Sequence, residues 1–381
     1  MQVPGYKKTF RLLALLLVFC TCKKPYMPEV IQQENQYLVV NGVINIAPGG
    51  KTHLRLSRTR NLEDTTINHP EPGASVTIEG ADGSRYFLQE LTSDGDYQSD
   101  PLQLSSATPY RVSIQTRQGK HYNSEFVRPV VTPPIDSVSW QQPGDLQLYV
   151  STHDPSEQAK FFRWDFEETW EYHAQLETVW LIQADTIAIA TPDNQKTICW
   201  RGQFSKQIIL ANAAALSEAR ISLQPILLIP NGDERLAWRY SILVNQYALS
   251  SEAYNYWQIV EKNSQELGGL FDQMPSNLIG NFSCQESPEE PVLGYMSATA
   301  VQSARIFISR LDLQNWPQTL PRDECELVGI GYDNRNFPRW DYPDTSYAVY
   351  YFVTGGANLA KNSCLDCRRA GGTNVKPSFW R

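Results

Sequence analysis

Short runs in which apolar and polar residues alternate, separated by turn-forming clusters, fill residues 37–131 of the sequence. In the run ASVTIEG, Val76 and Ile78 point to one face of a predicted strand, while Ser75 and Thr77 point to the other. Alternation of period two with turn clusters roughly every 8 to 12 residues, here APGG, ADGS and RQGK, is typical of a β-sandwich. Residues 37–131 are therefore predicted to form an N-terminal β-sandwich.

A proline pair marks the end of this domain. Pro133 and Pro134 cannot donate hydrogen bonds to a strand ladder, and they stiffen the chain into an extended linker. Alternation then resumes, so residues 132–381 are predicted as a second, β-rich domain. One helix is expected near residues 250–267, with Ser250 placed to cap it and Gly268-Gly269 placed to end it. The predicted fold class is mainly β, with two β-sandwich-like domains of the immunoglobulin or fibronectin kind, the second carrying one inserted α-helix.

A long aromatic strand is predicted in the second domain. Its alternation places six side chains on one face: Phe162, Trp164, Phe166, Glu168, Trp170 and Tyr172. One interpretation is a sugar-binding platform with Trp164, Trp170 and Tyr172 as ligand contacts. The other is a strand that buries its aromatic face in a core and leaves a solvated acidic face. The second interpretation is favoured, because aromatic residues in strands need no ligand to explain them.

The N-terminus has the pattern of a bacterial export signal. A basic stretch with Lys7, Lys8 and Arg11 precedes an apolar run at residues 12–19. This run is too short to span a bilayer, because a spanning helix needs about 20 apolar residues. Residues 1–21 are therefore predicted to be a signal peptide.

Cysteines at the end of this run resemble the acylation site of a lipoprotein. Cys22, which follows the small Thr21, is the preferred acceptor, and Cys20, which follows the bulky Phe19, is the alternative. Residues 22–36 are then a polar tether, and two or three acyl chains hold the protein on a membrane. The sequence leaves open whether the anchored protein faces the periplasm or the cell surface.

Composition excludes some functions. The formal charge is −8 and becomes −11 when residues 1–21, which carry three cations, are removed. An acidic chain without a Lys/Arg-rich run argues against nucleic-acid binding. The hydrophobic content of 41% is sufficient for packed cores and excludes general disorder.

Five cysteines remain when Cys22 is acylated: Cys199, Cys284, Cys325, Cys364 and Cys367. An exported protein meets an oxidising compartment, so at most two disulfides and one thiol are expected. The C-terminal tail carries cysteines and ends in two aromatic residues, so we expect it to fold back, with Cys364 or Cys367 bridged to Cys199, Cys284 or Cys325. A zinc site or a redox pair is the alternative for the CLDC motif, and the scattered positions of the other cysteines disfavour it.

No catalytic motif is present in the sequence. There is no phosphate-binding glycine loop, no G-x-S-x-G and no H-E-x-x-H. The five histidines are dispersed and are expected at the surface or in turns. The carboxylate pairs Glu167/Glu168, Glu289/Glu290 and Asp323/Glu324 are expected to be solvated. The sequence therefore predicts no catalytic residue, cofactor or metal and favours a non-enzymatic protein; a hydrolase with an unrecognised site and a stand-alone glycan- or peptide-binding module are the alternatives.

Several sequence blocks together resemble a known family. They include YLVVNGVIN, TPPIDSVSW, EEPVLGYMSA, the helical block around Tyr254 to Trp257 and the tail CLDCRRAGGTNVKPSFW. In order and over nearly the whole mature chain, they resemble the Bacteroidota envelope family called domain of unknown function 4249. The resemblance implies an outer-membrane lipoprotein, often encoded beside a TonB-dependent receptor, and thus an accessory role in nutrient uptake. The family carries no established catalytic residues.

Overall fold

The computed structural model describes residues 37–59, 69–183, 186–192, 194–265, 280–317, 325–331 and 346–381, and every structural statement below concerns these residues. The first strands are β1 (Leu38–Asn45), β2 (His53–Arg58), β3 (Ser75–Gly80), β4 (Arg85–Thr92), β5 (Asp96–Ser99), β6 (Tyr110–Gln115), β7 (His121–Ser124), β8 (Ile135–Gln141), β9 (Leu146–His153) and β10 (Phe161–His173). Then follow β11 (Trp180–Gln183), β12 (Thr186–Ile189), β13 (Ile198–Phe204), β14 (Ile209–Asn212), β15 (Arg220–Ile229) and β16 (Arg239–Leu249). Helix α1 (Ser251–Gln265) precedes β17 (Phe282–Cys284), β18 (Ala298–Thr299), β19 (Gln302–Ser309), β20 (Val328–Gly331), β21 (Tyr347–Val353), β22 (Gly356–Lys361) and the short α2 (Asn362–Leu365). Short 3-10 helices lie at Glu234–Leu236, Arg310–Asp312 and Cys367–Ala370.

The N-terminal module is one nine-stranded sheet that curls around its own apolar core. The strand order is β17-β7-β6-β3-β4-β5-β2-β1-β18. Val76 and Ile78 of β3 are buried in this core, as their alternation predicts, together with Leu54 and Leu56 of β2. A single curled sheet therefore supplies both walls of the sandwich-like core.

Two strands of this sheet come from much later in the chain. β17 pairs with β7, and β18 runs parallel to β1, so that Cys284, Met296 and Ala298 join the N-terminal core. The predicted domain boundary after Val131 assigned these residues to the second domain, and the structure differs there. β17 and β18 have only three and two residues, too few to show alternation in the sequence. The chain from Tyr37 to Arg381 forms one compact unit.

The second module is a two-layer β-sandwich. One layer contains β13, β10, β16 and β19, with β14 paired to the other end of β10, and the second layer is the sheet β15-β9-β8. Side chains of both layers meet in one core that includes Leu148 of β9, Phe162 and Trp164 of β10, and Val244 of β16. The mainly β fold class predicted from the alternation is confirmed.

The proline linker is packed against this core. The side-chain amide of Gln246 donates to the carbonyl of Pro133 (2.8 Å) and its oxygen accepts from the indole of Trp164 (2.8 Å). All three residues are buried. The linker is therefore held in place by a buried polar side chain that donates a hydrogen bond to its backbone.

Helix α1 begins where the sequence predicts. The hydroxyl of Ser250 accepts a hydrogen bond from the backbone N–H of Ala253 (3.2 Å), which makes it the cap of the first turn. Ala253 and Tyr254 pack with Tyr247 and Leu249 of β16 in a third apolar cluster. The predicted terminating pair Gly268-Gly269 lies outside the described residues. No helix in the described part of the chain is long and apolar enough to cross a membrane.

Candidate functional site

A polar cleft of about 620 Å³ lies between the two modules. One wall is the outer face of β1, β2 and β5 of the N-terminal module, and the other is the outer face of β10 and β16 of the second module. The volume is within the range of roughly 300 to 1,000 Å³ that small-molecule sites occupy. We refer to these surfaces as the N-terminal wall and the C-terminal wall.

Strand register places the polar groups of the N-terminal wall side by side. Arg55 is paired with Asn41 on one side and Asp96 on the other, and His53 is paired with Val43. The Nε atoms of His53 and Arg55 lie 3.8 and 3.9 Å from one carboxylate oxygen of Asp96. These separations exceed hydrogen-bond length, so the guanidinium of Arg55 retains its donors.

The C-terminal wall consists of the residues of β10 that face away from the aromatic core. Arg163, Asp165 and Glu167 follow each other at every second position, and β16 places Tyr247 beside Arg163 and Asn245 beside Asp165. The amide of Asn245 donates to Asp165 (2.9 Å), and Arg163 lies 3.5 Å from the same carboxylate. Asp165 is thus held by two partners on its own wall.

Arg163 connects helix α1 to the cleft. Its guanidinium carbon lies 4.5 Å from the ring centre of Tyr247 and 4.3 Å from that of Trp257, which belongs to α1. Two aromatic faces stabilise a cation by their negative quadrupole, and they also fix its orientation. The Nε of Arg163 is buried without a hydrogen-bond partner in this structure. Trp257, which belongs to the block that resembles the family most specifically, therefore helps to hold the guanidinium of Arg163 in place at the cleft.

Glu167 is the carboxylate of the C-terminal wall that has no partner. No hydrogen bond or ion pair to its side chain occurs among the described residues. Its pKa is raised, mainly because burial disfavours the charged form and also because Asp165 is close, while Arg305 acts in the opposite direction. A group of this kind gains from a cation that enters the cleft.

The aromatic strand is buried in the core and offers no platform. Trp164, Trp170 and Tyr172 are 1%, 7% and 8% exposed, so the sugar-binding interpretation of these side chains is wrong. The exposed aromatic residue of the cleft is instead Phe204, at 72%, which follows from its position at the end of β13.

Glu168 corrects the expectation that the carboxylate pairs are solvated. It is 3% exposed on the aromatic face, and its carboxylate accepts from Arg235 (2.7 Å), Tyr240 (2.7 Å) and Gln203 (2.6 Å). Asp233 binds the other side of the Arg235 guanidinium (2.8 and 3.0 Å). This is a satisfied buried charge network. In the second pair Glu290 binds Lys120 and Tyr122, and the pair Asp323/Glu324 lies outside the described residues.

Histidine positions also differ in part from expectation. His53 is exposed, as expected, and it also lines the cleft, which no spacing in the sequence indicates. His173 is buried rather than on the surface. Its ring stacks on Trp238, with 3.7 Å between the ring centres, and is hydrogen-bonded to the carboxylate of Glu171 (2.6 Å). Among the described residues, no group of His, Cys, Asp or Glu is arranged to hold a metal ion.

The cysteines are paired as the tail argument requires. Cys367 is bridged to Cys199, and Cys364 is bridged to Cys325, which leaves Cys284 as a buried thiol. Both tail cysteines therefore form long-range disulfides, and the prediction that the tail folds back is confirmed. The acylation candidates Cys22 and Cys20 lie outside the described residues.

The fold and the cleft together define a mainly β protein with two modules and a charged cleft between them. The chain belongs to the family described as Domain of unknown function (DUF4249), whose profile matches residues 23–305. No curated protein matches the chain.

Two solved structures share a weak similarity with the chain. A two-domain fibronectin type III segment of chicken tenascin is 12% identical, with 55% of this chain and 90% of that chain covered and a TM-score of 0.16. A DUF4785 family protein from Legionella pneumophila is 11% identical, with 49% and 56% covered and a TM-score of 0.17.

Proposed function

We propose that this chain is a lipid-anchored, non-enzymatic outer-membrane lipoprotein of a Bacteroidota envelope and an accessory partner of a TonB-dependent transporter in nutrient uptake. The observation that carries the proposal is the pair of disulfides that closes the C-terminal tail onto the body. Disulfides persist in oxidising compartments such as the bacterial envelope and are rare in the cytosol. They agree with the export pattern and the acylation candidate Cys22 at the N-terminus.

A tethered body with a preformed cleft suits an accessory role. The tether, residues 22–36, would allow the body to reach a neighbouring membrane protein without leaving the bilayer. The cleft would then present a captured solute beside the transporter. The family resemblance, with its frequent gene neighbour, supports a transporter as the partner.

The anchor is tested by metabolic labelling with a fatty acid. Cys22→Ala is expected to lose the label and to release the protein from membranes, while the matched variant Cys20→Ala keeps both. Label that survives Cys22→Ala would assign the anchor to another residue. Partnership is tested by purification in mild detergent, which should recover a TonB-dependent transporter with the native chain. Repeated recovery without a transporter, under conditions that preserve known receptor complexes, would contradict the partnership.

One feature favours a hydrolase as a second candidate. Asp165 and Glu167 line the same cleft, and the pKa of Glu167 is raised by burial, as in many general acids. Side chains two positions apart on one strand project in the same direction, however, whereas glycosidase carboxylates flank the scissile bond. Release of nitrophenol from a panel of nitrophenyl glycosides, lost in Glu167→Gln and in Asp165→Asn, would establish a hydrolase.

A further inference from the structure

The two walls of the cleft carry opposite charge. The N-terminal wall holds the cations of Lys51 and Arg55 against the single carboxylate of Asp96. The C-terminal wall holds the carboxylates of Asp165 and Glu167 against the single cation of Arg163. Counted without His53, the N-terminal wall therefore has one surplus positive charge and the C-terminal wall has one surplus negative charge.

These charges do not neutralise each other across the cleft. Within the described part of the chain, each ion pair of the cleft joins residues of the same wall. On the N-terminal wall Arg55 and His53 pair with Asp96, and on the C-terminal wall Arg163 pairs with Asp165. Lys51 donates to Gln98, also on its own module (3.3 Å). Glu167 makes no hydrogen bond or ion pair with another described residue, although the cation of Arg305 on β19 is close enough to lower its pKa. The surplus positive and negative groups are thus separated by the space that a ligand would fill.

The groups available to a ligand are Glu167 on one wall and Arg55 with Lys51 on the other. Arg163 is not among the surplus cations, because its guanidinium is fixed between two aromatic rings and neutralises Asp165. Arg55 is 45% exposed, and among the described residues its one ion pair is the 3.9 Å contact with Asp96. Its fork of donors suits a carboxylate in two-point geometry, which lysine cannot provide.

We infer that the cleft binds a short zwitterionic peptide, with the peptide carboxylate at Arg55 and Lys51 and the peptide ammonium at Glu167. A ligand with both charges satisfies both walls at once, whereas an anion would meet the acidic wall unpaired and a cation would meet the basic one. Exposed Phe204 at the edge provides an apolar contact for a side chain. The inference concerns the cleft alone and stands independently of the transporter partnership.

Trialanine is the probe, because its only charges are the terminal ammonium and carboxylate. Calorimetric titration of the full chain in mild detergent, at neutral pH and low salt, should show saturable binding of trialanine. N-acetyl-trialanine and trialanine amide, each lacking one charge, should bind at least about tenfold more weakly, because each loses a charge-assisted hydrogen bond. Equal binding of the blocked and the free peptides, or no binding of trialanine at millimolar concentration, would overturn the inference.

Two variants assign the ends of the peptide to the walls. Glu167→Gln should weaken trialanine about tenfold and leave N-acetyl-trialanine unchanged, since that peptide has no ammonium. Arg55→Gln should weaken trialanine and leave trialanine amide unchanged. The matched controls are Glu218→Gln and Arg85→Gln, both 67% exposed residues outside the cleft, which should not alter binding.

The pattern of losses decides the assignment. If a cleft variant weakens all three peptides equally, or a control weakens them as much as its cleft counterpart, the proposed orientation is wrong. Near-ultraviolet circular dichroism verifies that each variant is folded. If a variant fails to fold, the comparison of blocked and free peptides on the native chain still decides the inference.

Discussion

Cys199, in the second position of β13, is bonded to Cys367, which lies 168 residues later in the tail. The bond fixes the tail against the edge of the five-stranded layer, where Trp200 and Thr373 exchange backbone hydrogen bonds (2.8 and 3.0 Å). Trp380, near the end of the chain, is buried beside Trp200 and Phe307. The tail is therefore part of the second module.

Removal of this disulfide should cost more stability than removal of the other one. Cys325 and Cys364 are 39 residues apart, against 168 for Cys199 and Cys367. In the chain-entropy account a cross-link that closes a longer loop restricts the unfolded chain more, here by about 1 kcal/mol. We expect Cys199→Ser with Cys367→Ser to lower the free energy of unfolding by about 3 to 5 kcal/mol, measured by urea denaturation. Cys325→Ser with Cys364→Ser is the comparison, and an equal or larger loss there would contradict the entropic explanation.

Glu168→Gln should destabilise the protein strongly. The carboxylate is the buried acceptor for Arg235, Tyr240 and Gln203, so the amide leaves the guanidinium with Asp233 alone and adds a donor where donors already converge. Loss of one partner of a buried ion pair costs about 3 to 5 kcal/mol. Because the carboxylate of Asp233 still pairs with Arg235, we expect the free energy of unfolding to fall by about 2 to 4 kcal/mol. Urea denaturation measures the change. A loss below about 1 kcal/mol would mean that the network is not desolvated in solution.

The burial of the aromatic residues in β10 could be read from the sequence, because the two faces of a strand alternate whatever the strand pairs with. The environment of Glu168 could not, because Arg235 and Tyr240 lie 67 and 72 positions away. The cleft could not be predicted from the sequence for the same reason. The acidic face of β10 is visible in the sequence, but the basic wall opposite it comes from residues 41–55, and only the packing of the modules brings them together.

The disulfides were predictable as a class but not as pairs. A cysteine-bearing tail that ends in aromatic residues implies attachment to the body, and five thiols permit no more than two bridges. Which partner each tail cysteine takes depends on the approach of β13 to the 3-10 helix at Cys367–Ala370, which no local pattern encodes.

Glu167→Gln should change how stability depends on pH. The raised pKa of Glu167 means that the folded state keeps a proton at pH values where the unfolded chain has already lost it. The free energy of unfolding therefore falls as pH rises from the ordinary value of 4.5 to the raised value in the folded state. Glutamine removes this fall, so the variant should match the native protein below the window and exceed its stability above it.

Urea denaturation from about pH 4 to about pH 8 measures this difference, because each curve yields the free energy of unfolding at one pH. Glu218→Gln, at an exposed position paired with Arg220, is the control and should run parallel to the native protein. If the difference between Glu167→Gln and the native protein stays constant with pH, Glu167 titrates at the same pH in both states and is not desolvated.

Gly42→Ala should lower the free energy of unfolding by about 2 to 4 kcal/mol, because backbone strain and steric overlap act at the same position. Gly42 has a φ of +140°, where side chains other than hydrogen are strained, and an added Cβ would lie 2.4 Å from the carbonyl oxygen of His53. The overlap is with backbone of β2, so relief requires β1 and β2 to move apart at the positions that place Arg55.

Gly83→Ala is the matched control, since Gly83 also has a positive φ, +89°, but nothing lies within 4 Å of the added atom. The control should cost only about 1 kcal/mol, in thermal or urea denaturation. Equal losses in the two variants would show that the strain at Gly42 is conformational alone and that the two strands do not approach as closely as the structure has them.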